Sequence, residues 1–326
     1  MAKVRASQTY NTIAPPHPMM PRLQFVLLIG TLHCQAVVCT QGDAVLHDAR
    51  YTAPDYSHCH ATPGWVVTFE DEFNGDTLNG SNWLAQDNMT HGDTEQQLYL
   101  ADEVTVSGGA LWLSTRKREA WHQGRQYNFT SGWVESSGRR FQKYGRFEVR
   151  ARLPSPAAGR EGMWPTAWPA HWLMPEPSRS APPNICWPVG GEVDIMEGYR
   201  PRGSDNRQLY DSVLMTYHWA RECGKDLFDG HNELWPALNA TADMVNWTHW
   251  HTFGVEWREG VLEWYIDGAL KRHVRKAGSP SSLFTPPGPM YMILNTALTP
   301  WASATEDSGL PLEHIIDRVT WCQPSA

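Results

Sequence analysis

Three carboxylates, Glu192, Asp194 and Glu197, lie within one short segment of polar and apolar residues, GGEVDIMEG at 190–198. In a β-strand, Glu192 and Asp194 would share one face, because side chains alternate between the two faces. Strict alternation would turn Glu197 away from that face, but a β-bulge of one extra residue near Met196 would bring it back. The segment therefore predicts three carboxylates on one side of a strand, with apolar side chains beneath them.

A cluster of this kind can divide acid and base work between its members. Like charges in close proximity raise at least one pKa, so that one carboxyl group can keep its proton near neutral pH. Cleavage of a glycosidic bond needs one ionised carboxylate and one protonated acid. A bulge could bring Glu192 and Glu197 to the ~5–5.5 Å separation of a retaining mechanism. The spacing alone is also compatible with a solvated acidic face or a calcium site, so the context has to decide.

The elements that must position this segment are short strands. Alternating segments bounded by turn residues occur at 65–69, 110–114, 145–152, 252–257 and 261–266. The last of them closes on Asp267-Gly268, a pair typical of hairpin turns. Apolar residues at helical spacing are almost absent. The chain is therefore predicted to be all-β, a sandwich or a barrel, with Pro-rich loops at 175–188 and 279–289.

Composition excludes several classes of protein. The chain has 326 residues, a net charge of −8 and a pI near 5.9, without a dense Lys/Arg run, so no nucleic-acid partner is expected. The sequence also has no GxSxG, HExxH or phosphate-loop motif. The 17 Trp residues suit a groove that binds sugar rings, but they also suit a core, which their number alone favours.

Residues 1–42 are interpreted as an N-terminal extension and a secretory signal. An apolar stretch at 23–38 follows Arg22 and ends in small residues, and it is short for a membrane span. An uncleaved signal anchor is the alternative. Residues 43–326 would then form a single catalytic domain, in which no segment is long and apolar enough to span a bilayer.

Two further features favour secretion. Asn-x-Ser/Thr sequons, more frequent than chance predicts, begin at Asn79, Asn88, Asn128, Asn239 and Asn246. Outside the predicted signal, the cysteines are Cys59, Cys186, Cys223 and Cys322. An even number permits two disulfides, and the spacing fits no zinc motif. Four buried free thiols are the alternative.

Beyond these features, the sequence resembles glycoside hydrolase family 16, in its bulged, laminarinase-like branch. The segment EVDIME at 192–197 matches the catalytic motif of that branch in every defined position. Further matches, in chain order, are found at 69–75, 127–154, 168–175, 217–219, 251–257, 265–268, 293–297 and 317–319. The resemblance covers about residues 65–322, nearly the whole of the predicted mature chain.

The resemblance implies a β-jelly-roll sandwich of the concanavalin A-like type, with a cleft across its concave face. It implies Glu192 as the nucleophile, Glu197 as the general acid/base and Asp194 as support for the charge state of the nucleophile. The implied reaction is retaining endo-hydrolysis of laminarin-type β-1,3-glucan, or of mixed-linkage β-1,3-1,4-glucan, through a covalent glycosyl-enzyme and without a cofactor. The implied setting is a secreted, extracellular monomer that acts on cell-wall polysaccharide, without a membrane contact after signal cleavage.

The matched positions also imply which residues contact the sugar: Trp168, Trp172, His218, Asn295 and Trp301. His218 matches a histidine that lies beside the acid/base, although a lone histidine can also be a core residue. A doubled Trp-Pro motif leaves open whether Trp168 or Trp172 faces the ligand or the core. Two departures from the family pattern affect this face: Trp133 stands where many relatives carry Arg, and Trp301 lacks flanking glycines.

The resemblance further suggests disulfide pairs. Because the termini of a jelly roll often lie in neighbouring strands, Cys59 is expected to pair with Cys322. Cys186 and Cys223 would then pair in loops at one end of the cleft, which gives one of three possible connectivities.

A structural calcium ion is a further expectation. Glu72 and Asp317 match positions where some relatives hold calcium through oxygen ligands. Ordinary surface carboxylates are the alternative for both residues.

Two other activities remain open at this point. Some relatives of this fold bind β-1,3-glucan without cutting it, but they lack the catalytic glutamates that this chain keeps. A cell-wall transglycosylase would use the same retaining intermediate with a sugar as the acceptor.

Overall fold

The structure, a computed structural model, describes residues 56–92, 94–154, 167–178, 185–198, 213–219, 222–224, 245–275, 286–298 and 310–325. These residues all belong to one compact unit, Ala49–Ala326. The predicted signal at 1–42, Trp301 and the sequon at Asn239 lie outside the described residues. Within the described ranges, no helix has the length and apolar character needed to cross a membrane.

Short strands dominate the described chain, as the alternating pattern predicts. A short helix, α1 (His58–Ala61), precedes the first strand. The strands are β1 (Trp65–Asp71), β2 (Leu84–Ala85), β3 (Gln97–Tyr99), β4 (Val104–Ser107), β5 (Ala110–His122), β6 (Arg125–Ser131), β7 (Trp133–Glu135), β8 (Gly145–Arg152), β9 (Ala167–Pro175), β10 (Glu192–Glu197), β11 (Leu214–His218), β12 (His251–Arg258), β13 (Val261–Ile266), β14 (Ala269–Arg275), β15 (Met290–Leu298) and β16 (Leu312–Pro324).

The strands form two sheets that pack face to face. Among the described residues, the larger sheet has ten strands, ordered β14-β13-β12-β8-β16-β5-β6-β3, with β1 also paired to β16 and β4 to β5. The smaller sheet has six strands, ordered β11-β10-β9-β15-β7-β2. The two neighbours of β10 run antiparallel to it, whereas β3 and β6 are parallel. The predicted all-β jelly-roll sandwich is confirmed.

The hydrophobic core lies between the two sheets. From the six-stranded sheet it receives alternate residues, including Leu173, Val193, Met215 and Leu294. From the ten-stranded sheet it receives, among others, Phe147, Val149, Trp257 and Trp264. Burying a large apolar side chain stabilises the fold by about 1.5–3 kcal/mol. Since the inward positions alternate, the residues between them on the six-stranded sheet face away from the core, where a ligand can reach them.

Two histidines interrupt this apolar core. His171 on β9 and His314 on β16 are fully buried, and their Nε2 atoms lie 2.9 Å apart. The rings stack with centroids 5.0 Å apart, and His171 also packs edge-on against Phe253 of β12. The Nδ1 atom of His314 lies 3.2 Å from the Thr296 hydroxyl oxygen. The pair therefore joins the two sheets through a hydrogen bond between imidazoles.

Two predicted disulfides and a predicted hairpin turn are also present. Cys59 and Cys322 form a disulfide that joins α1 to β16. Cys186 and Cys223 form a second one, between the loop before β10 and the segment after β11. The predicted hairpin turn joins β13 to β14, and Asp267 there has a φ of 51°, as a type I′ turn requires.

Candidate active site

Strand β10 contains the predicted β-bulge. On the neighbouring strand β11, Asp194 pairs with Thr216 and Glu197 pairs with Leu214. Three steps along β10 therefore meet two steps along β11, which leaves one extra residue on β10. The register against β9 on the other side shifts within the same stretch.

The bulge turns the three carboxylates to the face opposite the core. The apolar residues of the strand pack inward: Val193, Ile195 and Met196. Glu192 and Glu197 keep part of their surface exposed, whereas Asp194 is buried. The indole N–H of buried Trp264, on the opposite sheet, donates to the Asp194 main-chain oxygen at 2.8 Å. This bond satisfies a carbonyl where the ladder is interrupted, and it fixes the bulge against the core.

Glycines bracket β10 because neighbouring side chains approach its backbone closely. Gly191 has a φ of +80°, and a Cβ there would lie 3.2 Å from the Tyr217 ring and from Pro286. A Cβ at Gly198 would lie 2.6 Å from Pro169. A larger residue at either end would therefore displace the strand that carries the carboxylates.

The two glutamates each accept a hydrogen bond from an indole. Trp187 Nε1 donates to Glu192 Oε2 at 2.6 Å, and Trp168 Nε1 donates to Glu197 Oε1 at 2.9 Å. Trp168 is therefore on the predicted face, beside the predicted acid/base. Both contacts fix the orientation of a carboxyl group that the bulge alone would leave free to rotate.

His218 lies at the Glu192 end of the strand. It pairs in register with Glu192, and its Nε2 atom lies 3.3 Å from Asp194 Oδ2. The resemblance implied a histidine beside Glu197, but the cross-strand partner of Glu197 is Leu214. The difference follows from the antiparallel pairing, because the last residue of β11 then lies opposite the first residue of β10.

Burial and mutual repulsion give the two glutamates different proton affinities. Burial and the charge of Asp194 raise the pKa of Glu192 to about 7, while His218 and the Trp187 N–H oppose the rise. Burial, the charge of Asp194 and that of Glu192 raise the pKa of Glu197 well above its usual value. Of the two glutamates, Glu192 therefore ionises first, and Glu197 keeps its proton to higher pH.

This difference defines what the site can do chemically. An ionised carboxylate can attack an electrophilic carbon, while a nearby carboxylic acid protonates the leaving oxygen. Glu192 fits the first role and Glu197 the second. The order of their pKa values agrees with the roles that the resemblance implies.

Trp172 and Asn295 lie on the same face but are deeply buried. Trp172 is 7% exposed and Asn295 is 4% exposed. The Trp172 indole N–H donates to Asn295 Oδ1 at 2.9 Å, so the two side chains bind each other. Trp133, the residue in the place of an arginine, is also buried and packs edge-on against Trp172. Trp133, Trp172 and Asn295 therefore form a buried layer under the exposed residues of this face. That Trp172 and Asn295 contact a sugar directly stays a prediction.

Two residues reach this face without any sequence signal that singled them out. Trp187 lies in the loop held by the Cys186–Cys223 disulfide, is 43% exposed, and lines a cavity of about 210 Å³ beside β10. His91, in the segment between β2 and β3, packs against the Trp133 ring. For Trp187, the neighbouring cysteine could have indicated a tethered position near the cleft, whereas nothing local marks His91.

The structure leaves the calcium expectation untested. Glu72 is exposed, and Asp317 forms an ion pair with an arginine of β8. In the described ranges, ligand atoms converge within 4.8 Å at Glu192, Asp194 and His218, which belong to the site above. Neither Glu72 nor Asp317 belongs to such a cluster in the described ranges.

The fold and this site together define a β-jelly-roll protein of the carbohydrate-active class. The family model described as "Beta-porphyranase A-D, GH16 domain" matches residues 65–317. The chain therefore belongs to glycoside hydrolase family 16.

Individual relatives agree with this assignment. The "Beta-glucanase" of Rhodothermus marinus is 29% identical over 218 residues, which are 64% of this chain and 65% of that protein. The "Glucan endo-1,3-beta-glucosidase A1" of Niallia circulans is 28% identical over 258 residues, 73% of this chain. The chain spans 34% of the length of that second relative. The laminarinase catalytic domain of Thermotoga petrophila RKU-1 shares the fold, with a TM-score of 0.60 at 22% identity over 80% of this chain and 99% of that one.

Proposed function

We propose that this protein hydrolyses β-1,3-glucan or mixed-linkage β-1,3-1,4-glucan within the chain, with retention of anomeric configuration. The observation that carries the proposal is the bulged strand β10, on which Glu192 and Glu197 share one face and differ in pKa. The names of the relatives, a beta-glucanase and glucan endo-1,3-beta-glucosidase, support the substrate class.

The proposed reaction has two steps. Ionised Glu192 attacks the anomeric carbon while Glu197 gives its proton to the leaving glycosidic oxygen, and a glycosyl ester forms on Glu192. Glu197, now a carboxylate, takes a proton from water, which attacks the same carbon and releases Glu192. The charge of Asp194 raises the pKa of both glutamates, which helps Glu197 to keep the proton that it gives to the leaving oxygen.

The central experiment compares Glu192→Gln and Glu197→Gln with the parent protein. Each change should lower kcat on laminarin by at least about 10³-fold, because neither role has a substitute. Glu119→Gln, the same change at an exposed position of β5, is the matched control and should retain parental activity. Near-parental hydrolysis by either active-site variant with an intact fold would contradict the proposal.

Substrate class is tested with laminarin, lichenan, curdlan, cellulose and porphyran. Release of reducing ends from laminarin or lichenan is expected. Porphyran belongs in the panel because the matching family model is named for porphyranases. Cleavage of porphyran alone would show that the glucan assignment is wrong. Binding without release of reducing ends would favour a glucan-binding protein, and products longer than the substrate would favour a transglycosylase.

We also propose that the protein is a secreted, glycosylated monomer. Four of the sequon residues are exposed, namely Asn79, Asn88, Asn128 and Asn246, and two disulfides suit an oxidising compartment. Expression in a secreting eukaryotic host should give protein in the medium that loses mass on treatment with an N-glycosidase. Light scattering should give the mass of one chain, and melting with and without a chelator should report any structural calcium.

A further inference from the structure

His91 lies against the aromatic residues of the cleft face. Its ring centroid is 5.2 Å from that of Trp133 and 5.7 Å from that of Trp172. Trp172 is the cross-strand partner of Asp194, so this cluster lies directly beside the catalytic strand, towards β15 and β7. A sugar adjacent to the cleaved bond would therefore lie near His91.

A buried hydrogen-bond network holds the imidazole in this place. Glu95 lies 3.0 Å from His91 Nδ1 through Oε1, and its Oε2 accepts the Tyr99 hydroxyl at 3.0 Å. The Tyr99 oxygen in turn accepts from Asn295 Nδ2 at 3.0 Å, and Asn295 Oδ1 accepts the Trp172 indole N–H. Two sets of contacts therefore hold His91 relative to Trp172: the packing of the two rings and this hydrogen-bond network.

The imidazole is the part of this arrangement that solvent reaches. Tyr99, Trp133, Trp172 and Asn295 are all less than 8% exposed, whereas the side chain of His91 is 51% exposed. Glu95 occupies Nδ1, so Nε2 is the ring nitrogen left for a ligand. The hydrogen bond to Glu95, with the charges of Glu95 and Glu192, raises the pKa of His91, so Nε2 carries a proton over a wider pH range.

We propose that His91 is a substrate-binding residue, whose Nε2 hydrogen-bonds a hydroxyl of the neutral sugar unit beside the cleaved bond. This inference rests on the proposed function, because it takes a glucan as the occupant of the cleft. A pyranose carries hydroxyl groups along its edge, and the cluster offers one exposed ring nitrogen, held in place against buried aromatic rings. The hydroxyl is not a reacting group, so its contact with His91 should act on binding more than on the chemical step.

The test measures affinity apart from turnover. Binding of a β-1,3-linked glucohexaose is followed by calorimetry in the Glu197→Gln background, with and without His91→Ala. We expect the dissociation constant to rise about tenfold, which corresponds to ~1.4 kcal/mol. In the background with Glu197 restored, His91→Ala should raise KM on laminarin by a similar factor and leave kcat within about twofold, the pattern of lost uniform binding.

Three further variants separate sugar contact from support of the loop. His91→Gln can place its amide near the Nε2 position and should recover most of the affinity, whereas His91→Asn reaches only the Nδ1 position and should not. His60→Ala is the matched control, because His60 also pairs with a glutamate, Glu70, and is 42% exposed, but it lies on α1. Melting temperatures of all variants show whether they are folded.

The outcomes distinguish this inference from the proposed function. Parental hexaose affinity in folded His91→Ala or His91→Asn would overturn the role of His91, even if laminarin is hydrolysed. If hexaose binding is weakened in both His91 variants while the parent protein hydrolyses none of the glucans, His91 is upheld as a sugar contact and the proposed hydrolysis is rejected. No hexaose binding in the Glu197→Gln background would overturn the role of His91.

Discussion

The buried pair His171–His314 should make the folded state sensitive to acid. Burial lowers the pKa of His314 to about 3, and burial together with His314 lowers that of His171 well below its usual value. Among the described residues, His171 Nδ1 has no hydrogen-bond partner. We therefore infer that His171 donates from Nε2 to His314 Nε2, and that both rings are neutral in the folded protein.

The size and sign of the effect follow from proton linkage. In the unfolded chain each histidine binds a proton with a pKa near 6.5, whereas the folded pair stays neutral at pH 5. Their contribution to stability is therefore present above pH ~6.5 and is lost as the pH falls. Between pH 7 and pH 5 each histidine should lower the free energy of unfolding by about 2 kcal/mol, and the pair by about 4 kcal/mol.

The active-site glutamates act in the opposite direction. Their folded pKa values are raised, so the folded state gains protons and stability as the pH falls from about 7 towards 4.5. The pH dependence of the parent protein is therefore a sum in which the two effects partly cancel. A variant that lacks only the histidine pair isolates its share.

The assay is urea unfolding at pH 7 and pH 5 of the parent and of His171→Leu/His314→Leu. The double variant has a changed core, so its absolute stability is not the measured quantity. The loss of stability between the two pH values should be smaller in the variant by about 4 kcal/mol. His122→Ala, at a partly exposed histidine whose ring lies beside the neutral Asn88 amide, should retain the parental loss. An equal loss in the parent and in the double variant would refute the neutral, buried pair.

The remaining predictions concern the site and the disulfides. Proton NMR of early products should show the β-anomer, and an initial α-anomer would contradict Glu192 as the nucleophile. Trp187→Phe removes a hydrogen-bond donor to Glu192, so the pKa of Glu192 and the acid limb of the pH–rate profile should rise; an unmoved limb would exclude this role. Removal of the Cys59–Cys322 bridge, which closes 263 residues, should cost up to ~5 kcal/mol of stability, measured by urea unfolding. Removal of the Cys186–Cys223 bridge should raise KM more than it lowers stability, and unchanged KM would argue against a cleft role for the loop.

Much of the catalytic strand could be predicted from the sequence. The spacing of Glu192, Asp194 and Glu197 has a direct structural meaning, because side chains alternate along a strand and one bulge changes that alternation by one position. The all-β fold was predictable for the same reason, since its signal repeats locally in each strand. The Cys59–Cys322 pair could be predicted because it needed only the general layout of a jelly roll.

Other features of the site depend on which strands become neighbours. His218 lies beside Glu192 because β11 pairs with β10 in one antiparallel register, and the sequence does not specify that register. Trp187 reaches Glu192 from a loop, and His91 reaches Trp172 from a segment far away in the chain. Their positions follow from the folding of segments that carry no repeating pattern.

The sequence by itself determined the strand with its three carboxylates and the all-β class, because these depend on local alternation. The cysteine pairing was predicted from the jelly-roll layout that the family resemblance implies. Only the tertiary structure decided the proton affinities of Glu192 and Glu197, because burial and the distance between charges set them. The tertiary structure alone also revealed the buried pair His171–His314, whose partners come from different sheets. Contacts between sheets bring together residues that are distant in the chain, and no local pattern encodes such contacts.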